Sequence, residues 1–293
     1  MNNNMKIIIV GASGYIGSSI LEFKKHRFAT YGTSSTAKSG LLRLDLNEIA
    51  NFDFSFIQPK DTVLLASAIS SPDVCASDHA YAYSVNVSGT SEFIAKVMTR
   101  GGRVIFFSSD TVYGERDDEF DEHATCNPVG EYAEMKREVE KKFLGNPLFK
   151  VIRLSYVFSR EDKFVKYLLS CAKRNEEAEI FHPFYRAIIH RDDVVEGAIS
   201  LVKRWDEFSQ IKVFNFGGPE VLARTEFVKI LQDIALSNLR FHLTEPNADY
   251  FRNRPKVIRM ASPILVALLG RSAHTLHEAA NIEFYLKEDK QDD

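Results

Sequence analysis

Lys6-Ile-Ile-Ile-Val-Gly-Ala-Ser-Gly-Tyr-Ile-Gly17 is the stretch that decides the fold of this chain. Its first five residues are apolar and mostly β-branched without alternation, as expected of a central parallel strand covered on both faces. The run stops at Gly11, and Gly11-Ala-Ser13-Gly14-Tyr15-Ile16-Gly17 then opens a helical pattern. Strand, glycine turn and helix in that order make a dinucleotide-binding turn. Glycine permits the tight turn and the close backbone approach, while unpaired N–H groups and the helix dipole favour a pyrophosphate. The spacing is G-x-x-G-x-x-G, not the G-x-G-x-x-G of the general fingerprint, so an ordinary glycine turn is the competing reading. Gly11, Ser13, Gly14, Tyr15, Ile16 and Gly17 are assigned to the cofactor.

Working outward, similar apolar runs recur at 28–33, 41–44, 62–66, 103–107 and 150–157, with the clearest helical patterns at 80–99 and 131–144. Alternating strands and helices predict an α/β fold, a doubly wound parallel sheet with ligands at the carboxyl ends of its strands. Residues 1–157 are expected to form an NADP-binding Rossmann domain, completed by segments near 187–216. Residues 158–186 and 217–293 are expected to form a smaller substrate-binding lobe. Within these, helices are expected near 164–173 and 192–203, a loop at 182–186 and strands at 213–216 and 239–243. The apolar stretch 263–269 reads as a buried helix, far short of the ~20 residues of a membrane span. The tail 287–293 is polar enough to fray.

The chain has 293 residues, 45% of them hydrophobic, with 37 basic and 40 acidic side chains and a formal charge of −3. That is the composition of an ordinary globule, without a global field to recruit nucleic acid or an anionic membrane. Cys75, Cys126 and Cys171 are odd in number and lack metal or C-x-x-C spacing, so reduced thiols, no metal and a cytoplasmic setting are expected. Residues 1–6 lead into the first strand without the apolar core of a signal peptide.

Tyr132-Ala-Glu-Met-Lys136 is the only Tyr-x-x-x-Lys among the 11 tyrosines. On a helix the two side chains share a face. A neighbouring ammonium favours the phenolate, bringing a pKa of about 10 closer to working pH. Such pairs usually decorate a solvated helix, and the weight here comes from Ser108-Ser109-Asp110 after the strand at 103–107.

The end of the second strand selects the dinucleotide, because a carboxylate there binds the ribose 2′-hydroxyl and repels a 2′-phosphate. This chain offers Thr33-Ser34-Ser35-Thr36 and Lys38, with no carboxylate between Glu22 and Asp45. Hydroxyls and a lysine suit a phosphate, so NADP(H) is favoured over NAD(H). Asp45 reads either as an adenine contact or as the cap of the next helix.

These residues resemble the extended short-chain dehydrogenase/reductase superfamily, and within it the dTDP-4-dehydrorhamnose reductase-like and sugar-nucleotide epimerase members. The resemblance rests on the three glycines, Asp45-Leu46, Leu65-Ala-Ser-Ala68, Asn86-Val-Ser-Gly-Thr90, Phe107-Ser-Ser-Asp-Thr-Val-Tyr-Gly114, Tyr132 to Lys136, Arg186-Ala-Ile-Ile-His-Arg-Asp-Asp-Val194, Asn215-Phe-Gly-Gly218 and Arg254-Pro255. It implies that Tyr132 protonates a substrate oxygen, that Lys136 binds the nicotinamide ribose and lowers the phenol's pKa, and that Ser109 and Asp110 belong to the catalytic set. It further implies cofactor contacts at Asp45, Leu46, Ala66, Ser67, Ala68 and Asn86. Arg186 is implied to hold the diphosphate of a nucleotide-sugar substrate, Arg254 to contact the substrate, and His190 to pack or cap. Dehydratases of the same group carry an acidic pair after the Ser or Thr. Here Thr111 follows Asp110, which disfavours dehydration. The implied activity is NADPH-dependent reduction of a 4-keto sugar nucleotide. Its alternatives are a sugar-nucleotide epimerase and a non-catalytic NADP(H)-sensing protein of the same fold. Pairing through long helices is frequent in that superfamily, so a homodimer is an expectation. The acidic stretch 115–122 reads as solvated surface.

Overall fold

A computed structural model describes residues 5–23 and 25–286. The expectations for residues 1–4 and for the tail 287–293 lie outside the described residues. Among those described, seven strands form one parallel sheet. Their order across it is Val213–Phe216, Phe149–Leu154, Arg103–Ser109, Thr62–Leu65, Lys6–Val10, Ala29–Ser34 and Leu42–Arg43.

Alternation along each strand sends side chains to opposite faces, and both faces are covered. Ile7 and Ile9 join one apolar cluster with residues of helices Tyr15–Glu22, Arg191–Lys203 and Pro263–Leu269. Ile8 and Val10 join another with residues of helices Thr90–Thr99 and Glu131–Phe143. The chain order reverses between Lys6–Val10 and Thr62–Leu65, the place where an open parallel sheet leaves a crevice beyond its strand ends.

A separate cluster packs Phe158, Val165, Leu168, Ile180, Phe227, Leu231 and Leu276 among helices Lys163–Arg174, Arg224–Ile234 and Leu276–Asn281. Beside it the strand Glu177–Phe181 pairs in parallel with Arg240–Thr244.

Several elements differ from expectation for local reasons. The strand expected at 150–157 is divided. Phe149–Leu154 stays in the sheet, while Val157–Phe158 pairs with Ile189–His190. Ser155, at the break, turns its hydroxyl to Asp110 (2.8 Å). The expected loop at 182–186 ends in a strand, Tyr185–Ala187, antiparallel to Val221–Ala223. The helix expected at 80–99 contains a π-turn at Ser84–Gly89. There Gly89 lets the helix close on the chain before it, since a Cβ would fall 1.8 Å from the Leu46 carbonyl oxygen. Helix Pro263–Leu269 buries only one side: Leu265 and Leu268 face inward while Val266 is exposed. The acidic stretch 115–122 is more than solvated surface. Glu119–Phe120 pairs with Arg259–Met260, and the buried Glu122 carboxylate accepts from Asn215 N at 3.3 Å.

Candidate active site

The glycine turn is held by close packing. Gly11 has φ +86°, and a Cβ there would sit 3.0 Å from Ser67 atoms; at Gly17 it would fall 2.2 Å from the Gly11 carbonyl oxygen. A cleft of ≈ 370 Å³ follows, lined by Gly11, Ser13, Gly14, Tyr15, Ile16, Gly17, Ser34, Ser35, Ala66, Ser67, Ala68, Tyr132 and Lys136. Sequence reasoning missed Leu44, Ser70, Phe107, Ser108 and Leu154 on the same walls. Of these Ser108 carried a signal, being a hydroxyl at a strand's carboxyl end. Its Oγ is buried and has no hydrogen-bond partner among the described residues.

Four residues assigned to the cofactor are not among those lining this cleft. Thr33 is fully buried in the sheet. Asp45 accepts from Asn47 N at 2.9 Å in a turn ahead of the next helix, Ile49–Asn51, whose N-cap is Glu48 and not Asp45. Leu46 is buried in the apolar core. Asn86 clamps the loop beyond Thr62–Leu65, accepting from Ile69 N (2.8 Å) and donating to Ile69 O (3.0 Å). The cleft itself fits a dinucleotide: a glycine cradle at a helix start, a row of hydroxyls, and the orphaned Ser108 Oγ.

Tyr132 and Lys136 lie on helix Glu131–Phe143. Gly130 opens it at φ +86°, with no room for a side chain against Asn253, whose Cα would be 2.7 Å from a Cβ. Glu131 and Glu134 in the first turn and Lys141 and Lys142 in the last suit the helix dipole. Behind the helix, fully buried Glu140 accepts from Arg153 at 2.7 and 3.1 Å and from Arg137 at 2.7 Å, which fixes the helix against the sheet.

Lys136 is buried, donates to Phe107 O at 2.8 Å, and lies 5.8 Å from the Tyr132 ring centroid. Burial pushes its pKa down to about 8. The expected lowering of the Tyr132 phenol is not what its surroundings produce. Burial raises its pKa, and Cys75 and Asp110 add to the rise. Desolvation is the largest of these effects, so Tyr132 holds its proton.

Tyr132 also lines a larger cleft of ≈ 510 Å³ with Ser109, Asp110, Thr111, Tyr156, Asp162, Arg186, Arg224 and Arg254. Ser109 caps the turn Asp110–Tyr113, accepting from Thr111 N (3.2 Å) and Thr111 Oγ1 (2.9 Å), and donates to Asp110 Oδ1 at 3.3 Å. Asp110 is buried and accepts from Ser155 Oγ at 2.8 Å. Burial raises its pKa against the pull of Arg186, whose Nε is 3.6 Å away. Arg186 donates to Tyr185 O (2.6 Å), Lys256 O (3.2 Å) and Pro255 O (2.7 Å). Arg254 is paired with Asp73 at 2.6 Å. His190 lies outside both clefts, buried, with Nε2 2.8 Å from Glu283 Oε1. No helix among the described residues is long and apolar enough to cross a membrane.

The model of one family, described as RmlD substrate binding domain, matches residues 5–261. A dTDP-4-dehydrorhamnose reductase from Aggregatibacter actinomycetemcomitans is 23% identical over 243 residues, 79% of this chain and 80% of that protein. Methionine adenosyltransferase 2 subunit beta from Bos taurus is 24% identical over 242 residues, covering 78% and 72%. Among solved structures, a UDP-glucuronic acid 4-epimerase from Bacillus cereus in complex with UDP-glucuronic acid and NAD superposes with a TM-score of 0.80 at 20% identity, over 97% of this chain and 99% of that one. At that identity the likeness shows the fold.

Proposed function

Because the chain belongs to the RmlD substrate binding domain family, within the NAD(P)-dependent oxidoreductases of the extended short-chain dehydrogenase/reductase type, we propose that it uses NADPH to reduce the ketone of a 4-keto sugar nucleotide. One observation carries this reading: Tyr132 lines both the glycine-rich cleft and the larger cleft that holds Ser109, Asp110 and the arginines. A proton donor on a shared wall can serve a substrate in one cleft and a cofactor in the other.

The glycine turn, Ser34, Ser35 and Lys136 would hold the dinucleotide, whose reduced nicotinamide supplies hydride when bound. Tyr132, kept protonated by burial, gives its proton to the carbonyl oxygen as that oxygen becomes an alkoxide. Ser109 turns its hydroxyl from Asp110 to the same oxygen, adding a hydrogen bond where charge develops. Lys136, beside the ring, favours the phenolate left behind. The segments 158–186 and 217–286 form the described part of the substrate-binding lobe in this reading. NADP(H) is preferred because Ser34 and Ser35 line the cleft where a carboxylate would face the 2′-phosphate.

The relative named as a subunit of methionine adenosyltransferase supports a second reading, a nucleotide-binding subunit of an assembly. One assay separates the two. Purified protein is given NADPH and a panel of 4-keto sugar nucleotides, and NADPH oxidation is followed for the wild type and Tyr132→Phe. The enzyme reading expects turnover that falls by about 10²-fold or more in the variant, with NADPH affinity retained. No oxidation with any of the panel, or equal rates in both proteins, would contradict it.

A further inference from the structure

Three arginines line the larger cleft, and they differ in what their guanidinium groups already hold. Arg186 gives three of its five N–H donors to main-chain carbonyls and lies beside Asp110. Arg254 donates to Tyr250 O at 3.2 Å and is paired with Asp73. Arg224 has neither: among the described residues its guanidinium makes no hydrogen bond and no ion pair.

Arg224 is nevertheless held in place. It opens helix Arg224–Ile234 directly after the strand Val221–Ala223, and its backbone N donates to Phe184 O at 3.0 Å. Its guanidinium carbon lies 4.6 Å from the Phe164 ring centroid and 4.4 Å from that of Phe184. Aromatic contacts order the group without using its N–H donors, which leaves a planar fork suited to two oxygens of one anion. Arg186 sits 4.1 Å from the same Phe184 ring, so two cations share it. Their mutual repulsion depresses the Arg186 pKa after burial does. Of the nearby carboxylates, Asp110 is engaged by Ser155, and Asp162 by the Tyr156 hydroxyl and the backbone of helix Lys163–Arg174. The cleft thus holds an ordered cation that forms no ion pair with a carboxylate among the described residues and leaves its N–H donors free there.

We propose that Arg224 is the arginine that grips an oxyanion of the substrate, because Arg186 gives three of its five N–H donors to main-chain carbonyls and turns its Nε toward Asp110. Arg186 instead positions, tying the strand Tyr185–Ala187 to residues 255 and 256. This deepens the reading above and rests on it. The anion is either a phosphate of the nucleotide diphosphate or a carboxylate on the sugar, both of which offer paired oxygens to a guanidinium.

The test is calorimetric titration of NADPH-loaded wild type, Arg224→Gln and Arg224→Lys with UDP, dTDP and GDP, with the corresponding nucleosides, and with UDP-glucose and UDP-glucuronic acid. For a diphosphate clasp, Arg224→Gln weakens the best-bound nucleoside diphosphate by about tenfold or more, and Arg224→Lys, which keeps charge but loses the fork, falls between. Nucleoside and NADPH affinities stay unchanged, which also certifies the fold. For a sugar carboxylate, nucleoside diphosphates bind equally and the preference for UDP-glucuronic acid over UDP-glucose is lost in Arg224→Gln. Wild-type binding of a diphosphate or uronate that Arg224→Gln leaves intact overturns the proposal while sparing the substrate class. If the wild type binds none of these nucleotides, the substrate class itself fails and Arg224 falls with it.

Discussion

At Tyr132 and Lys136 burial acts in one sense on two opposite chemistries: it disfavours the phenolate and it disfavours the ammonium. An acid that must deliver its proton to a ketone is served by the first effect. A lysine brought down to about 8 remains mostly protonated at neutral pH, so it still offers charge to the phenolate that forms. Cofactor choice is a matter of single residues too. Ser34, at the end of the strand Ala29–Ser34, is buried with its Oγ 3.5 Å from Ser13 Oγ, while Ser35 beside it is exposed. A carboxylate at this place repels a 2′-phosphate and binds a ribose hydroxyl. Ser34→Asp, or Ser35→Asp should the buried position not accept a charge, is expected to move the NADPH-to-NADH ratio of dissociation constants toward NADH by about tenfold. Titration of both dinucleotides checks this, and an unmoved ratio contradicts it.

The helix over 79–99 shows how an element acquires its shape from one contact. Gly89 abuts the Leu46 carbonyl, and the helix widens into a π-turn where the two chains meet. Gly89→Ala forces a methyl into that carbonyl and is expected to cost about 2 kcal/mol or more, read as a shift in denaturation midpoint. An unchanged midpoint would show that the helix and the 46 segment can part freely. The same case marks what the sequence reveals. The apolar runs at 6–10, 62–66 and 103–107 announce a covered parallel sheet because each strand's pattern is local and complete. Short strands such as Tyr185–Ala187 do not, since their partners lie tens of residues away and their three residues carry no period. At the site, Gly11, Tyr132 and Lys136 were legible from spacing and order. The committed donors of Arg186 and the free fork of Arg224 were not, because both depend on main-chain carbonyls and rings that only folding brings near.

At the scale of the molecule, a parallel sheet with its reversal at the first strand leaves a crevice that two clefts share, and Tyr132 stands between them. That geometry serves a reductase, which passes hydride permanently to the sugar. It also serves an epimerase, which withdraws hydride and returns it. The two differ in where the hydrogen ends. The most direct measurement is turnover of a 4-keto sugar nucleotide with NADPH carrying deuterium at the transferring position of the nicotinamide, followed by mass spectrometry and NMR of the sugar product. The account predicts one deuterium on the carbon that was the ketone, one equivalent of NADP⁺ formed per product, and neither in Tyr132→Phe on the same timescale. A sugar that changes configuration without taking up deuterium and without net oxidation of NADPH would contradict it.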